Sequence, residues 1–371
     1  MCAWVMMVSY FYRNHYYLCF TFGVSGDFMK TFFISICFLL FACSLWAQEE
    51  KQASAWIMFY NVENLFDPVD DPSTQDEEFT PAGSNHWTWA KFQVKRDGIA
   101  KTIIAAGAGE APLLVGLCEV ENRLVLNQLV QNTPLAKLDY GIVHRESPDL
   151  RGIDVALLYR KDYFSILSQQ FYKVYLEANN AHTREILYAK GVWNGLDTLH
   201  VFVNHWPSKV GGAKESEPKR MQAAATLRAV IDSIFTTNQR ANIVAMGDFN
   251  DTPDSRPVNE GLRSRALADG LCDTCLFNLL RPLSDKGEGS LKYRNAWELI
   301  DLFFLSGNLL NTKQPIYVDP TEAGIFRAPF LLERDERYMG DKPKRTLIGP
   351  RYNGGVSDHL PILMKVRTSI L

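Results

Sequence analysis

The chain has 371 residues, 22% of them charged and 47% hydrophobic, and a formal net charge of −3. A balance so near neutral excludes a global positive field, so any hold on nucleic acid or another polyanion has to be local. The length suits one large α/β domain or two small ones. No Pro/Ser-rich linker, repeat or low-complexity tract divides the sequence, which favours one.

The N-terminal apolar stretches come first and belong to targeting rather than to a fold. From Met29, MKTFFISICFLLFACSLWAQEEK sets a lysine before an unbroken apolar run and Leu45-Trp46-Ala47 before a charged segment. That is the pattern of a secretory signal peptide, residues 29–47, cut after Ala47. Its apolar part is short for a membrane span, so a retained anchor is the weaker reading and the mature chain carries no transmembrane segment. Leu40-Phe41-Ala42-Cys43 leaves lipidation at Cys43 as a minor alternative, and residues 1–28 read as an extension ahead of the true start. The expected mature chain is then residues 48–371, a single domain. It loses two basic residues and one acid with the leader, so its net charge falls from −3 to −4.

Strand-like runs follow at residues 55–60, 113–120, 154–160, 198–206, 242–248, 299–306 and 360–366. Some alternate and some are continuously apolar, which predicts two sheets packed face to face with partly covered outer faces. Helices fall between them. Phe92, Ile99, Ile103 and Ala106 recur at helical spacing, as do Met221, Ala224, Ile231 and Ile234 within 214–235, where Arg228 is the one break in the apolar stripe. Cys272 and Cys275 are spaced to close a local disulfide in an oxidising compartment, while Cys118 falls in a buried strand. No second Cys pair completes a zinc site.

The strands end in polar groups. Asn61 and Glu63 follow IMFY, Glu119 and Glu121 lie in CEVEN, and Asn204-His205 follows VFV. Asp248 and Asn250 follow IVAM, Asp301 interrupts ELIDLFFL, and Asp358-His359 opens the last strand. A lone pair of this kind is no more than a capped turn. Repeated through one chain, with an acid inside an apolar strand, the pattern means that these residues need each other or a metal, because a buried carboxylate is costly unless a cation or donor meets it. Oxygen donors with only two well-placed histidines suit Mg²⁺, with Mn²⁺ as substitute and Ca²⁺ as a further candidate. Such an ion, a water-holding carboxylate and imidazoles that can donate a proton are equipment for attack on phosphorus. Lys209 in NHWPSK either reaches a phosphate or is solvated in its loop. Lys342, Lys344, Arg345 and Arg351 could form an anion-attracting rim before GGVSDH.

In order, FYNVENLFD, GLCEVEN, RGIDVALLYR, VNHWPSK, MGDFND, WELIDLFFLS and GGVSDHLPI resemble the successive motifs of the endonuclease/exonuclease/phosphatase superfamily, from about Ala55 to Val366. The resemblance implies a deoxyribonuclease-like two-sheet α/β sandwich of four layers, with helices on the outer faces and a Mg²⁺ site at one edge. It places Asn61 and Glu119 at the metal, with Asp358 near it or at a second metal position. It gives Asp248 the attacking water and Asn250 a phosphate oxygen, and it sets His205 and His359 beside the scissile phosphate. Asp301 would fix the tautomer of His359. Asp154 matches more loosely an acid paired with the first histidine, and Arg184 resembles an arginine that approaches the phosphate. Asn204 and Lys209 join Arg184 as candidates for contacting substrate.

The superfamily uses one metal site for several substrates, and loops make the choice. No nucleic-acid module, aromatic-rich basic stripe or long apolar hairpin is present in the sequence. The first expectation is an exported, monomeric, Mg²⁺-dependent phosphodiesterase acting on nucleic acid. A secreted phosphatase or a sphingomyelinase- or phospholipase-type phosphodiesterase is second. A non-catalytic surface-binding protein is third, because every expected site residue is present. Mass spectrometry of the native N-terminus should find Gln48; an intact segment 1–28 on the exported protein would refute the leader.

Overall fold

A computed structural model describes residues 54–176 and 183–369. The expected leader, its cleavage site and Cys43 lie outside the described residues. The strands in chain order are β1 (Ser54–Leu65), β2 (Leu114–Val120), β3 (Tyr140–His144), β4 (Asp154–Arg160), β5 (Phe164–Tyr172), β6 (Ile186–Trp193) and β7 (Asp197–His205). They continue with β8 (Asn242–Asp248), β9 (Ser264–Arg265), β10 (Leu276–Asn278), β11 (Leu291–Tyr293), β12 (Ala296–Glu298), β13 (Asp301–Ser306), β14 (Ile316–Ile325) and the C-terminal strand Ile362–Thr368. One sheet runs β14, C-terminal strand, β1, β2, β4, β3; the other runs β5, β6, β7, β8, β13, β10, β9. The three long helices are α1 (Trp89–Ala106), α2 (Arg123–Gln131) and α3 (Ala213–Thr237).

Alternation along β1 decides which side chain meets which layer. Ile57 and Phe59 face the core shared with Val201, Val203, Val244 and Phe303 of the second sheet. Met58 and Tyr60, one residue out of step, pack with Ile99 and Ile103 of α1 and Val125 and Leu129 of α2. Successive side chains of a strand point to opposite faces, so β1 is apolar on both sides and sits centrally. The architecture is the expected α/β sandwich, two sheets face to face with helices outside. Among the described residues no helix is long and apolar enough to cross a membrane. Cys272 and Cys275 are joined as a disulfide and Cys118 is a buried free thiol.

Helix starts are fixed locally. The Thr88 side chain accepts from the Lys91 amide at the head of α1, and Asn122 accepts from the Val125 amide at the head of α2. Arg228, the polar break in the α3 stripe, bonds Asp232 one turn on. Another arginine of α3 matters more. Arg220 is fully buried, donating from Nε to Asp251 Oδ2 at 2.5 Å, from Nη1 to Ser216 Oγ at 2.7 Å and from Nη2 to the Ala213 carbonyl at 2.9 Å. It clamps the turn after β8 to the first turns of α3. Arg220→Ala strands the buried Asp251 carboxylate, so urea unfolding should show a loss of about 3 kcal/mol or more. A loss below about 1 kcal/mol would mean that the clamp is solvated and weak.

Candidate active site

Register brings the site together. In the second sheet β7 is parallel and β13 antiparallel to β8, with His205 opposite Asp248 and Asp248 opposite Asp301. The three side chains therefore stand in one row, about 4.8 Å from strand to strand. In the first sheet β1 and β2 run parallel with Asn61 opposite Cys118, and the register then slips before Leu65 pairs with Val120. Glu63, Asn64 and Glu119 take left-handed φ values of 49°, 53° and 61° at that slip, and Asn250 takes 50° after β8. Non-glycine residues rarely adopt this region. Here a strand irregularity re-aims the Asn61 and Glu119 side chains toward the second sheet.

Asn61 joins the sheets. Its Nδ2 donates to Glu119 Oε1 at 3.1 Å and to Asp248 Oδ2 at 3.0 Å, while its Oδ1 accepts from the Glu63 amide at 2.9 Å. Asp248 is also held by the Asn250 amide at 2.8 Å. His205 Nε2 and His359 Nε2 each stand 3.8 Å from Asp248 Oδ2, on a carboxylate that is almost wholly buried. His359 Nδ1 meets Asp301 Oδ2 at 2.7 Å, and Ser290 Oγ donates to the same oxygen at 2.5 Å. Burial alone would lower the His359 pKa, but the charge and hydrogen bond of Asp301, with Asp248, hold it well above the ordinary value. Burial, then Arg184, Arg151 and His359, push His205 well below its ordinary value. Burial and the Asp301 charge lift Asp248 to about 7. The two imidazoles thus differ in character, His359 cationic and His205 neutral.

A further network of charged side chains lies beside these residues. Glu63 accepts from Arg345 Nε at 3.0 Å and from the Thr346 amide at 2.7 Å. Arg345 Nη2 donates to Asp358 Oδ2 at 3.0 Å. Lys95 of α1 is fully buried, donating from Nζ to Thr346 Oγ1 at 2.5 Å and to the Val356 carbonyl at 2.8 Å. Burial lowers its pKa to about 8 against the pull of Glu63, and burial with Asp358 raises that of Glu63 to about 7. Ser357 Oγ donates to the Asn61 carbonyl at 2.7 Å and ties the His359 segment to β1. A cavity of about 470 Å³ lined by Glu63, Asn64, Glu78, Phe79, Arg345 and Leu347 opens beside this network.

The donors fit a hard cation. Glu119 is the partly exposed acid at the mouth, side-chain exposure 18%, and it shares the Asn61 amide with the buried Asp248, so two carboxylates meet at one point with oxygen donors that suit a hard ion. Asn61 and Glu119 are the residues that would hold such an ion. Asp358, the other expected ligand, has one carboxylate oxygen, Oδ2, on Arg345 Nη2 and is partly exposed. The expected basic rim is likewise partly neutralised, with Arg345 turned onto Glu63 and Lys342 3.6 Å from Glu333.

Other expected contacts are corrected. Asp154 does not meet His205; it bonds His144 Nε2 at 2.9 Å and accepts from the Ser147 amide at 2.8 Å, because β3 lies beside β4. Asn204 is fully buried with its Nδ2 on the Met246 carbonyl and its Oδ1 on the Trp206 indole, so it cannot touch substrate. Arg184 is a buried positioning group, donating to Asp149 Oδ2 at 2.9 Å and to the Trp206 carbonyl at 2.6 Å. Asn250 Nδ2 bonds that same carbonyl at 3.0 Å. Lys209 is partly exposed, 3.5 Å from Glu298 and 3.9 Å from Asp251. Ser290 and Lys95 were not foreseen. Lys95 lies three residues after Phe92 and four before Ile99, on the apolar stripe of α1, and a lysine in that stripe was the available signal.

This edge of two sheets, with acids, amides and two imidazoles converging on one opening, defines a phosphoester hydrolase of the metal-dependent kind. A sequence profile of the Endonuclease/Exonuclease/phosphatase family matches residues 56–368. The chain belongs to that family, whose members are metal-dependent phosphoester hydrolases. No curated protein sequence matches it. Among solved structures it is similar to D. rerio TDP2 humanised by 14 mutations, with 16% identity, 85% of this chain and 99% of that one covered, and a TM-score of 0.53. It is similar to the human Nocturnin catalytic domain with a bound sulfate anion, with 16% identity, coverage of 85% and 95%, and a TM-score of 0.51. D. rerio TDP2 complexed with single strand DNA product gives 15% identity, coverage of 85% and 100%, and a TM-score of 0.51. At such identities these likenesses concern the fold.

Asp301→Asn removes the charge that outweighs burial at His359. The His359 ring should then titrate at lower pH by NMR, toward or below its ordinary value. An unmoved titration would show that Asp301 does not set the state of this imidazole.

Proposed function

We propose that the protein is an exported, Mg²⁺-dependent phosphodiesterase and that nucleic acid is its substrate. The observation that carries the reaction is the Asp248 carboxylate, held by Asn61 and Asn250 and flanked at 3.8 Å by both His205 and His359. Asp248 holds a water in line with phosphorus and accepts its proton. His359, kept cationic by Asp301, donates to a non-bridging oxygen where charge builds in the transition state. His205, neutral, hydrogen-bonds a second oxygen. Asn61 and Glu119 would hold a divalent ion, which would supply neutralisation of phosphoryl charge. The cavity beside Glu63 and Arg345 has room for a group attached to the phosphate.

Export rests on the Met29–Ala47 segment, and a disulfide between Cys272 and Cys275 agrees with an oxidising compartment. A similar fold holding a single strand DNA product supports nucleic acid. A second reading, a phosphatase or phospholipase-type enzyme acting on a smaller phosphoester, draws on the pairing of Arg345, Lys342 and Lys209 with acids, which weakens the local hold on a polyanion.

The test sets the full chain and Mg²⁺ against plasmid DNA, RNA, sphingomyelin and phosphorylated inositols. DNA or RNA should be cleaved, chelator should abolish cleavage, and Mg²⁺ or Mn²⁺ should restore it. Asp248→Asn should keep the fold and lower kcat by roughly 10²-fold or more. Cleavage of only the lipid or the inositols would select the second reading, and a near-normal kcat in Asp248→Asn would remove Asp248 from the mechanism.

A further inference from the structure

Cys118 has no part in the chemistry above, yet it lies directly under it. It is a fully buried free thiol on β2, opposite Asn61 and one residue before Glu119. Its Sγ, an imidazole nitrogen of His205 and a carboxylate oxygen of Asp248 all lie within 4.8 Å of one another, and all three side chains are buried. Burial, with the charges of Asp248 and Glu119, raises the thiol pKa well above its ordinary value, so the free thiol is protonated and unreactive. His205 is held loosely for so buried a ring. Its Nδ1 has no hydrogen-bond partner among the described residues, and its Nε2 stands 3.8 Å from both Asp248 and Glu119, beyond a hydrogen bond.

Thiolate, imidazole and carboxylate are the donor types of a zinc site, with bonds of about 2.0–2.3 Å that set ligand atoms roughly 3.3–3.8 Å apart in a tetrahedron. The three donors are within a small closing movement of that spacing. A hard Mg²⁺ has no use for the sulfur, whereas a borderline-soft ion gains from it, and such ions also outrank Mg²⁺ on imidazole. We infer that Cys118, His205 and Asp248 form an inhibitory site for Zn²⁺ or a similar ion beneath the catalytic opening, with Glu119 or water as fourth ligand. Binding forms coordinate bonds from sulfur, nitrogen and oxygen to the ion, and the thiol proton leaves to solvent with no change of oxidation state. A coordinated Asp248 no longer accepts a proton from water, and a coordinated His205 no longer meets phosphate. That the ion inhibits rests on the catalytic reading of those two residues; that it binds does not.

Two readouts keep these apart. Co²⁺ stands in for Zn²⁺ spectroscopically, added to the full chain in saturating Mg²⁺. A thiolate-to-cobalt charge-transfer band should appear in the near ultraviolet and vanish on addition of Zn²⁺. In parallel, Zn²⁺ should suppress Mg²⁺-supported hydrolysis without being displaced by more Mg²⁺. Cys118→Ser and Cys118→Ala should keep Mg²⁺-supported turnover, lose the band, and need at least about tenfold more Zn²⁺ for the same suppression. His205→Ala, which leaves the thiol in place, should weaken cobalt binding as well, and it decides the matter if neither Cys118 variant folds. No cobalt band in the wild type, or a band and a Zn²⁺ sensitivity unchanged in the Cys118 variants, would overturn the site. A band without any hydrolysis would uphold the site and sink the catalytic reading instead.

Discussion

Carboxylates crowd together out of water at one edge of this fold, and their mutual repulsion governs the local structure. Asp248 and Asp301 are neighbours in register, and Glu63 and Asp358 face each other through Arg345. Desolvation alone would make such a cluster intolerable if every acid stayed ionised. The chain answers with compensating groups of graded strength. Asn61 offers amide hydrogens to two acids at once, His359 brings a proton, and Arg345 and the buried Lys95 bring fixed charge. Because a buried ion pair stabilises little in net terms, this network is better understood as an arrangement that keeps acids and cations in contact around one opening.

The backbone makes the convergence possible. A parallel neighbour and an antiparallel neighbour flank β8, so residues from distant parts of the sequence reach one row without any loop having to position them. The first sheet achieves the same end by slipping register after Asn61 and Cys118, with left-handed residues at the slip. Rigid strands set the second sheet's contribution, and local strain sets the first sheet's. Ser357 and Arg345 then fasten the loop carrying His359 to β1, and the His359–Asp301 pair ties it to β13 of the second sheet.

The fold was legible where burial is two-sided. Ile243–Met246 and Leu302–Leu305 are continuously apolar because both their faces are covered, and they read as strands without difficulty. β5 was not legible: it is a sheet edge with most of FSILSQQFY exposed, so no period survives. β6 is broken to the eye by Lys190 and Gly191. At the site, Asp301 announced itself as an acid inside an apolar strand. The partner of Asp154 could not be read, since it depends on β3 lying beside β4. Asn204 is a different failure. Along the regular stretch of β7 Asn204 and His205 face opposite ways, so only one of them meets Asp248, and alternation contained that answer.

The stitching of the last segment to the first strand fixes when the first sheet can be completed. Ser357 holds the Asn61 carbonyl across 296 residues, and β1 has the C-terminal strand as one of its two neighbours. During synthesis β1 keeps one edge bare after β2 has paired with it, and the Asn61 carbonyl lacks its Ser357 partner until the last segment is translated. The sheet that carries Asn61 is therefore completed late, by a strand about 300 residues downstream of β1.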